Sequence, residues 1–385
     1  MPLDDDDPDK WVMRAHTDVK HTILTRYLTS WMRVLSSGHK KIHYFDGFAG
    51  RGRYENGEPG SPLLAMDTAA RHDDLLENFL CTFVELNDSN YENLEKEVEL
   101  KKKECGDVVD VITRNDAFEE VVDDLIEGLD GDTIVPSFFF IDPFGYDSMP
   151  FESVSDIINL RETGVEVFLT FMVRDIRRFL ENEGHENSIT RILGNERWKD
   201  IPEKGVSNVE EEILKLYEQQ LKTEAGARYV WPFEMKMPER RETVYYLIHA
   251  TNHFKGFKIM KDVMYNAGAE DQFAYLGPDH YAYESDQQTL FQMTGAEDDR
   301  IEDLAEFLFS RFEGSTLKFW DIMKETYLET DLIEKHYRKA IYYLEDKHRV
   351  QIDNNPHLSN GTERGLQHDD EVTFQRKYSD VTSFC

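Results

Sequence analysis

From Ile42 to Met172 the sequence alternates between short apolar runs and segments with helical spacing, and this alternation limits the folds open to the chain. The runs are Ile42–Phe45, Phe79–Leu86, Val108–Thr113, Ile134–Ile141 and Val165–Met172. Between them, Leu63–Ala70, Tyr91–Lys103, Phe118–Leu129 and Phe151–Leu160 repeat apolar residues at three- and four-residue steps. Parallel strands joined by crossover helices give this order, with helices on both faces of one sheet. Thr243–Ala250 reads as a further strand and Phe257–Tyr265 as a helix after it. The expectation is an α/β domain of about six or seven strands in a doubly wound, mainly parallel sheet.

The flanks are arranged around that domain. Thr17–Leu35 carries Ile23, Leu24, Tyr27, Leu28, Trp31, Met32 and Leu35 on one helical face, so a core-facing amphipathic helix is expected. A helical insertion is expected at about 186–224. The polar, weakly periodic stretch Gly268–Asp299 reads as a linker. Beyond it, Ile301–Phe312, Leu317–Tyr327 and Ile333–Glu345 have helical spacing and His348–Asp353 reads as a short strand, which together suggest a small C-terminal winged-helix-like module. The expected boundaries are an acidic tail and helix at 1–37, the Rossmann-like domain at 38–268, a linker at 269–299, the module at 300–353 and a polar tail at 354–385. A chain of 385 residues is long enough for two or three such domains, each with its own core.

Charge bears on habitat more than on partners. Lys and Arg number 44 against 77 Asp and Glu, a formal net charge of -33. In dilute buffer such a surface repels itself and nucleic acid; in molar salt the Debye length falls to about 3 Å and the repulsion is screened. Because the acids are spread along the chain, the reading is a halophilic protein. The three cysteines, Cys81, Cys105 and Cys385, show no spacing typical of a zinc site or a disulfide framework. No apolar stretch reaches the ~20 residues that span a bilayer, and MPLDDDDPDK lacks the parts of a signal peptide. A cytoplasmic protein with no membrane partner is expected.

The first apolar run ends in Asp46 and opens into the glycine-rich loop Phe45–Pro62. A loop of this kind lets backbone N–H groups approach a ligand, and the N-terminus of the next helix favours an anionic group. A P-loop would need G-x-x-x-x-G-K-[ST], which is absent, and the dinucleotide fingerprint fails after Gly50-Arg51-Gly52. What remains is Asp46 followed by Phe48, Gly50 and Gly52, a carboxylate for an ammonium group and amides for a carboxylate. Glu85 closes the second strand, where a carboxylate suits ribose hydroxyls, and Asp116-Ala117 follow the third, near where an adenine would lie. Amino acid, ribose and adenine together describe S-adenosylmethionine. The fourth strand ends Asp142-Pro143-Phe144-Gly145-Tyr146: a carboxylate, a rigid turn and aromatics that could position a planar acceptor, the main need of methyl transfer.

With these residues placed, the sequence resembles the three-Cys-motif partner protein (TcmP) family, whose domain is class I methyltransferase-like. The resemblance runs through AHTDVKHTILTRYLTSWM at Ala15–Met32, FDGFAGRGRY and GSPLLAM within Phe45–Met66, FFFIDPFGYDSMPFE at Phe138–Glu152, VFLTFMVRDIRRFL at Val167–Leu180 and YYLIHATNHFKGFKIMKDVM at Tyr245–Met264. It implies a partner, a three-Cys-motif protein similar to radical SAM enzymes. It also implies that Asp46, Gly50 and Gly52 form the first methyltransferase motif, Glu85 the second-strand acid and Asp142-Pro143-Phe144 the fourth-strand motif. Methyltransferases of base amines usually carry two prolines after the acid; this chain has one, which argues against that reaction.

The expected function is S-adenosylmethionine-dependent methyl transfer to nucleic acid or a nucleotide-derived substrate, with an inactive scaffold that binds the partner as the alternative. Asp46, Phe48, Gly50, Gly52, Glu85, Asp116 and Ala117 would hold the cofactor. Asp142, Pro143, Phe144 and Tyr146 would position the acceptor. A metal-dependent nuclease has acids in plenty but no ligand spacing that separates them from surface charge. His249 and His253 straddle a strand end, which argues against a metal pair. Arg174, Arg177 and Arg178 suit either an anion or nearby acids. Lys20 and His21 read as surface or lid positions. The C-terminal module could contact DNA or protein, and its compact basic run is Lys335, His336, Arg338 and Lys339.

Overall fold

A computed structural model describes residues 15–71, 78–105, 109–180, 184–203, 209–236, 242–268, 273–276, 290–353 and 365–376. The chain divides into two compact units, Met1–His280 and Tyr281–Cys385.

The larger unit is built on an eight-stranded sheet. Its strands are β1 (Lys41–Asp46), β2 (Asn78–Val84), β3 (Val109–Arg114), β4 (Ser137–Ile141), β5 (Val165–Phe171), β6 (Tyr229–Lys236), β7 (Thr243–Thr251) and β8 (Ala274–Tyr275), in the spatial order β3-β2-β1-β4-β5-β7-β6-β8. β1 to β5 run parallel, and β7 is antiparallel to both β5 and β6. This is the class I methyltransferase order, 3-2-1-4-5-7-6 with strand 7 reversed, extended by the two-residue β8. Strand order reverses between β1 and β4, so the crevice at their carboxyl ends is where an open α/β sheet binds ligands.

Side chains alternate between two cores, one on each face of the sheet. Ile42, Tyr44, Phe138, Phe140 and Phe168 pack toward α1 (Ala15–Ser36), α2 (Ser61–Ala70), α3 (Asp88–Cys105) and α10 (Phe254–Ala267). Phe45, Phe139, Ile141, Val167 and Leu169 face the other way, toward α4 (Phe118–Leu129), α5 (Phe151–Asn159), α6 (Val173–Phe179), α7 (Glu186–Leu193) and α9 (Val209–Thr223). A 3-10 turn (Arg197–Lys199) and the short α8 (Asp200–Glu203) join α7 toward α9.

Two strands of this sheet had no counterpart in the sequence reading. β6 contains Pro232, which argues against a central strand, but β8 pairs only with Glu234 and Met235, so Pro232 lies on a stretch flanked by β7 alone, where proline is tolerated. β8 falls within the expected linker, and α11 (Leu290–Phe312) also begins there. The linker expectation is corrected accordingly for the described residues; 269–272 and 277–289 lie outside them.

The smaller unit contains α11, β9 (Thr316–Lys318), α12 (Phe319–Thr326), α13 (Glu334–Asp346), β10 (Val350–Asp353) and β11 (Glu371–Phe374), with antiparallel sheet order β10-β11-β9. Three helices on a three-stranded sheet make a winged helix. Leu308, Phe309, Phe312, Ile322, Met323, Tyr337, Ile341, Val372 and Phe374 form its buried interior. β11 lies in the segment expected to be a polar tail; it folds because Val372 and Phe374 turn inward while Glu371 and Thr373 stay on the outer face. Among the described residues no helix is long and apolar enough to cross a membrane.

Candidate active site

At the carboxyl ends of β1 to β4 the backbone opens a cavity of about 650 Å³, within the usual range for a small-molecule site. Gly47 and Phe48 line it from the end of β1, Glu85 to Asp88 and Asn90 from the end of β2, Asp116 to Glu119 from the end of β3, and Phe144, Asp147 and Ser148 from the loop after β4. Arg191 of α7 closes the rim, ion-paired to Glu119.

The β1 loop is shaped by its glycines. Gly50 (φ 63°) and Gly52 (φ 80°) occupy the left-handed region, which a side chain disfavours. Gly47 passes so close to Phe118 that a Cβ on it would lie 2.7 Å from the ring. The loop therefore lies low over the sheet edge and ends at α2, with Pro62 in its first turn.

Asp46 is fully buried at the end of β1. Its Oδ1 accepts from the Phe48 N–H (3.3 Å) and its Oδ2 from the Tyr44 hydroxyl (3.2 Å), and Ser61 donates as well. Burial nevertheless pushes its carboxyl up to about 7, since these donors do not cancel the loss of water and the nearby Asp142 charge adds to the rise. Glu85 is also buried, with Oε1 accepting from the Asn87 N–H at 2.8 Å, and its carbonyl is held by Asn115. Asp116 faces the cavity while Arg114 holds its Oδ2 at 2.9 Å and reaches Asp124 at 2.6 Å.

Of the residues expected to hold a cofactor, the cavity gathers Phe48, Glu85, Asp116 and Ala117. Asp46, Gly50 and Gly52 shape the adjoining loop and do not line it. Of the expected acceptor positions, only Phe144 lines it, and that residue is 52% exposed. Tyr146 is turned elsewhere, with its hydroxyl 2.8 Å from His185 Nδ1 and its ring stacked on Phe179. Asp142 and Pro143 are also outside the lining. The Asp142 carboxylate instead takes Lys20 of α1 on Oδ2 and the Thr170 hydroxyl on Oδ1 at 2.6 Å.

Lys20 and His21 correct the surface or lid reading: both are buried. Periodicity placed α1 but could not say which polar residues its inner face carries. Arg177 pairs with Glu210 and Arg178 with Asp175. His249 and His253 do not converge: His249 Nε2 lies 2.9 Å from buried Glu166, which also takes the Tyr27 hydroxyl, while His253 stands at the N-cap of α10. The sequence reading also missed Arg191 and Glu119. No local signal marks them, because the pair joins helices 72 positions apart.

Comparison with known proteins adds the following. A family model described as a GMT-like wHTH domain matches residues 281–357. No curated protein matches the chain. Among solved structures, protein LPL1258 from Legionella pneumophila str. Philadelphia 1 is similar at 14% identity and TM-score 0.39, over 64% of this chain and 91% of that one. Trm1 from Pyrococcus horikoshii, determined with S-adenosyl-L-methionine, is similar at 12% identity and TM-score 0.35, over 65% of this chain and 58% of that one. A DszA carbon methyltransferase is similar at 13% identity and TM-score 0.37, over 63% of this chain and 56% of that one.

Proposed function

We propose that the larger unit binds S-adenosylmethionine and transfers its methyl group to nucleic acid or a nucleotide-derived substrate. The observation that carries this reading is the cavity that brings Glu85, Asp116, Phe48 and Phe144 together from four strand ends beside buried Asp46. The residues fit the cofactor in charge and in space. Asp46 suits the ammonium group, and the loop amides and the α2 N-terminus suit the carboxylate. Glu85 suits the ribose diol, and the space between Phe48 and Asp116–Ala117 suits the adenine. When bound, the cofactor supplies an electrophilic methyl group on a sulfonium. Phe144 would stack on a planar acceptor, and Asp46, buried beside the cavity, would favour the ammonium end through its charge once ionised, so affinity is expected to rise with pH through about 7.

Calorimetric titration of the full chain with S-adenosylmethionine at pH 8 in molar KCl tests the reading. Saturable binding that weakens at least tenfold in Glu85→Ala is expected. No binding by folded wild-type protein would overturn it.

The winged helix favours a second element, docking to a protein. Arg338 pairs with Glu334, Lys339 with Glu297 at 2.6 Å, Arg300 with Asp331 at 2.9 Å and Arg349 with Glu306, so carboxylates already sit on the cations that would meet phosphate. We assign that role to a three-Cys-motif, radical SAM-like partner, the TcmP arrangement implied by the sequence resemblance. Were the cofactor site empty, this docking would be the chain's whole function, as an inactive scaffold. Co-purification of the two proteins, abolished by deleting 281–385, is the expected result.

A further inference from the structure

One buried cluster at the sheet edge has no part in the proposed function so far. Lys20 is 7% exposed, ion-paired to Asp142, with Thr170 on the other carboxylate oxygen and the Tyr245 ring 5.8 Å from its ammonium. His21, next in sequence, is buried with Nδ1 unpartnered and its ring 5.9 Å from Tyr54. Asp142 directly follows β4, beside Asp46 at the end of β1 and near enough that its charge acts on the Asp46 carboxyl. α1 therefore delivers a positive charge to the carboxyl ends of β1 and β4, at the switch point of the sheet and next to Asp46, without lining the cavity itself. Burying a lysine is costly unless it is paired, and an apolar residue at this position of α1 would hold the helix to the sheet without that cost.

We propose that Lys20 is the charge-setting residue of the methyl-transfer position, neutralising Asp142 so that the pocket does not hold a sulfonium in preference to an uncharged thioether. The inference rests on the cofactor reading above. S-adenosylmethionine carries a sulfonium charge, and its product, S-adenosylhomocysteine, does not. An unpaired Asp142 would stabilise the charged reactant over the transition state, in which that charge is dispersed, and would deepen the ground state at the expense of rate. Lys20, balanced against Asp142, removes that bias. The alternative role is purely structural, in which the pair ties α1 to the sheet.

The two roles separate in binding, with no acceptor needed. Kd for S-adenosylmethionine and for S-adenosylhomocysteine is measured by calorimetry at one pH for wild type, Lys20→Met, Lys20→Arg and Asp142→Asn, with thermal melting to establish folding. One partly screened unit charge close to a ligand is worth about tenfold in affinity. Lys20→Met should therefore raise the preference for the sulfonium ligand about tenfold. Asp142→Asn, which leaves the ammonium unbalanced, should lower it about tenfold, and Lys20→Arg should return the ratio to the wild-type value. Should Lys20→Met fail to fold, Asp142→Asn carries the test alone, because it moves the ratio in the opposite direction. A ratio within twofold of wild type in variants that still bind both ligands overturns the inference and leaves the cofactor reading standing. Wild-type protein that binds neither ligand overturns both.

Discussion

Asp46→Asn should stabilise the protein at pH 8 and destabilise it at pH 4, and the change of sign can be worked from the burial of one carboxyl. In the unfolded chain Asp46 loses its proton near 3.8; in the fold, burial holds the proton until about 7. A group raised in this way contributes stability that is fully present below 3.8 and is lost as pH climbs to 7. At about 1.4 kcal/mol per pH unit the loss is about 4 kcal/mol. Asparagine is neutral throughout and escapes it, but its amide must face one of the donors, Tyr44, Phe48 or Ser61, at a cost of about 1–3 kcal/mol. The variant is thus expected to be about 2 kcal/mol more stable above pH 7 and about 2 kcal/mol less stable near pH 4. In a unit of this size that is a Tm difference of about 4 °C in each direction. Near-UV circular dichroism melts of both proteins at pH 4, 5, 6, 7 and 8 give the difference directly, and other titrating groups, present in both, cancel. A difference that stays constant across the series would refute the reasoning. Loss of S-adenosylmethionine binding in the more stable variant would show that the cost serves the site.

Four further outcomes are expected. Burial lowers His43 to about 4, so the fold loses about 3 kcal/mol as pH falls from 6.5 to 4, and His43→Phe should flatten that acid limb in urea titrations at stepped pH. Gly194 sits at φ 71° with an added Cβ 2.4 Å from the Phe151 ring, so Gly194→Ala should lower stability by about 2–4 kcal/mol, read as a reduced urea midpoint. Glu166→Ala strands the Tyr27 hydroxyl and His249 in the interior and should cost about 3–5 kcal/mol by the same measurement. Screening of the -33 net charge should raise Tm steadily from 0.1 to 2 M KCl, and a flat or falling curve would count against the halophilic reading.

How legible the sequence was depended on where each residue's partner lies. β1, β2, β4 and β5 are covered on both faces, so their apolar runs show in the sequence without help from the fold, and the edge strand β3, with Ile112 exposed, still carries a short apolar run. β6 was hidden by Pro232, β8 by its two-residue length, and β11 because its strand character comes from pairing with β9 and β10. The same division holds in the site. Glu85 and Asp116 line the cavity and Asp46 lies beside it, and the sequence could mark all three because each closes or closely follows an apolar run, a strand end that sequence alone can locate. Asn87 and Asn90, one turn further on, were reachable by the same reasoning. Lys20 was not, since its partner Asp142 lies 122 positions away and nothing in the spacing of α1 separates a buried lysine from one at the helix border.

The two edges of the sheet show why buried charge alone does not mark a site. Glu166 lies near the amino end of β5, where it takes the Tyr27 hydroxyl and His249 and lies against Gly256 in the first turn of α10. Its donors come from α1 and β7, so its burial fastens those elements together, a structural use of charge. At the carboxyl edge the balance differs. Asp46 has three donors, from its own strand, the loop after it and the start of α2, and is still pushed up to about 7, and Asp142 is met by a lysine that had to be buried to reach it. A fold selected for stability alone would place apolar groups at both positions, with little loss and some gain. Stability is given up here at the switch point of the sheet, beside the cavity, where the proposed cofactor reading would need charge. Asp46 and the Lys20–Asp142 pair are therefore better read together, as one charged site under the proposed cofactor reading, than as two separate defects of packing.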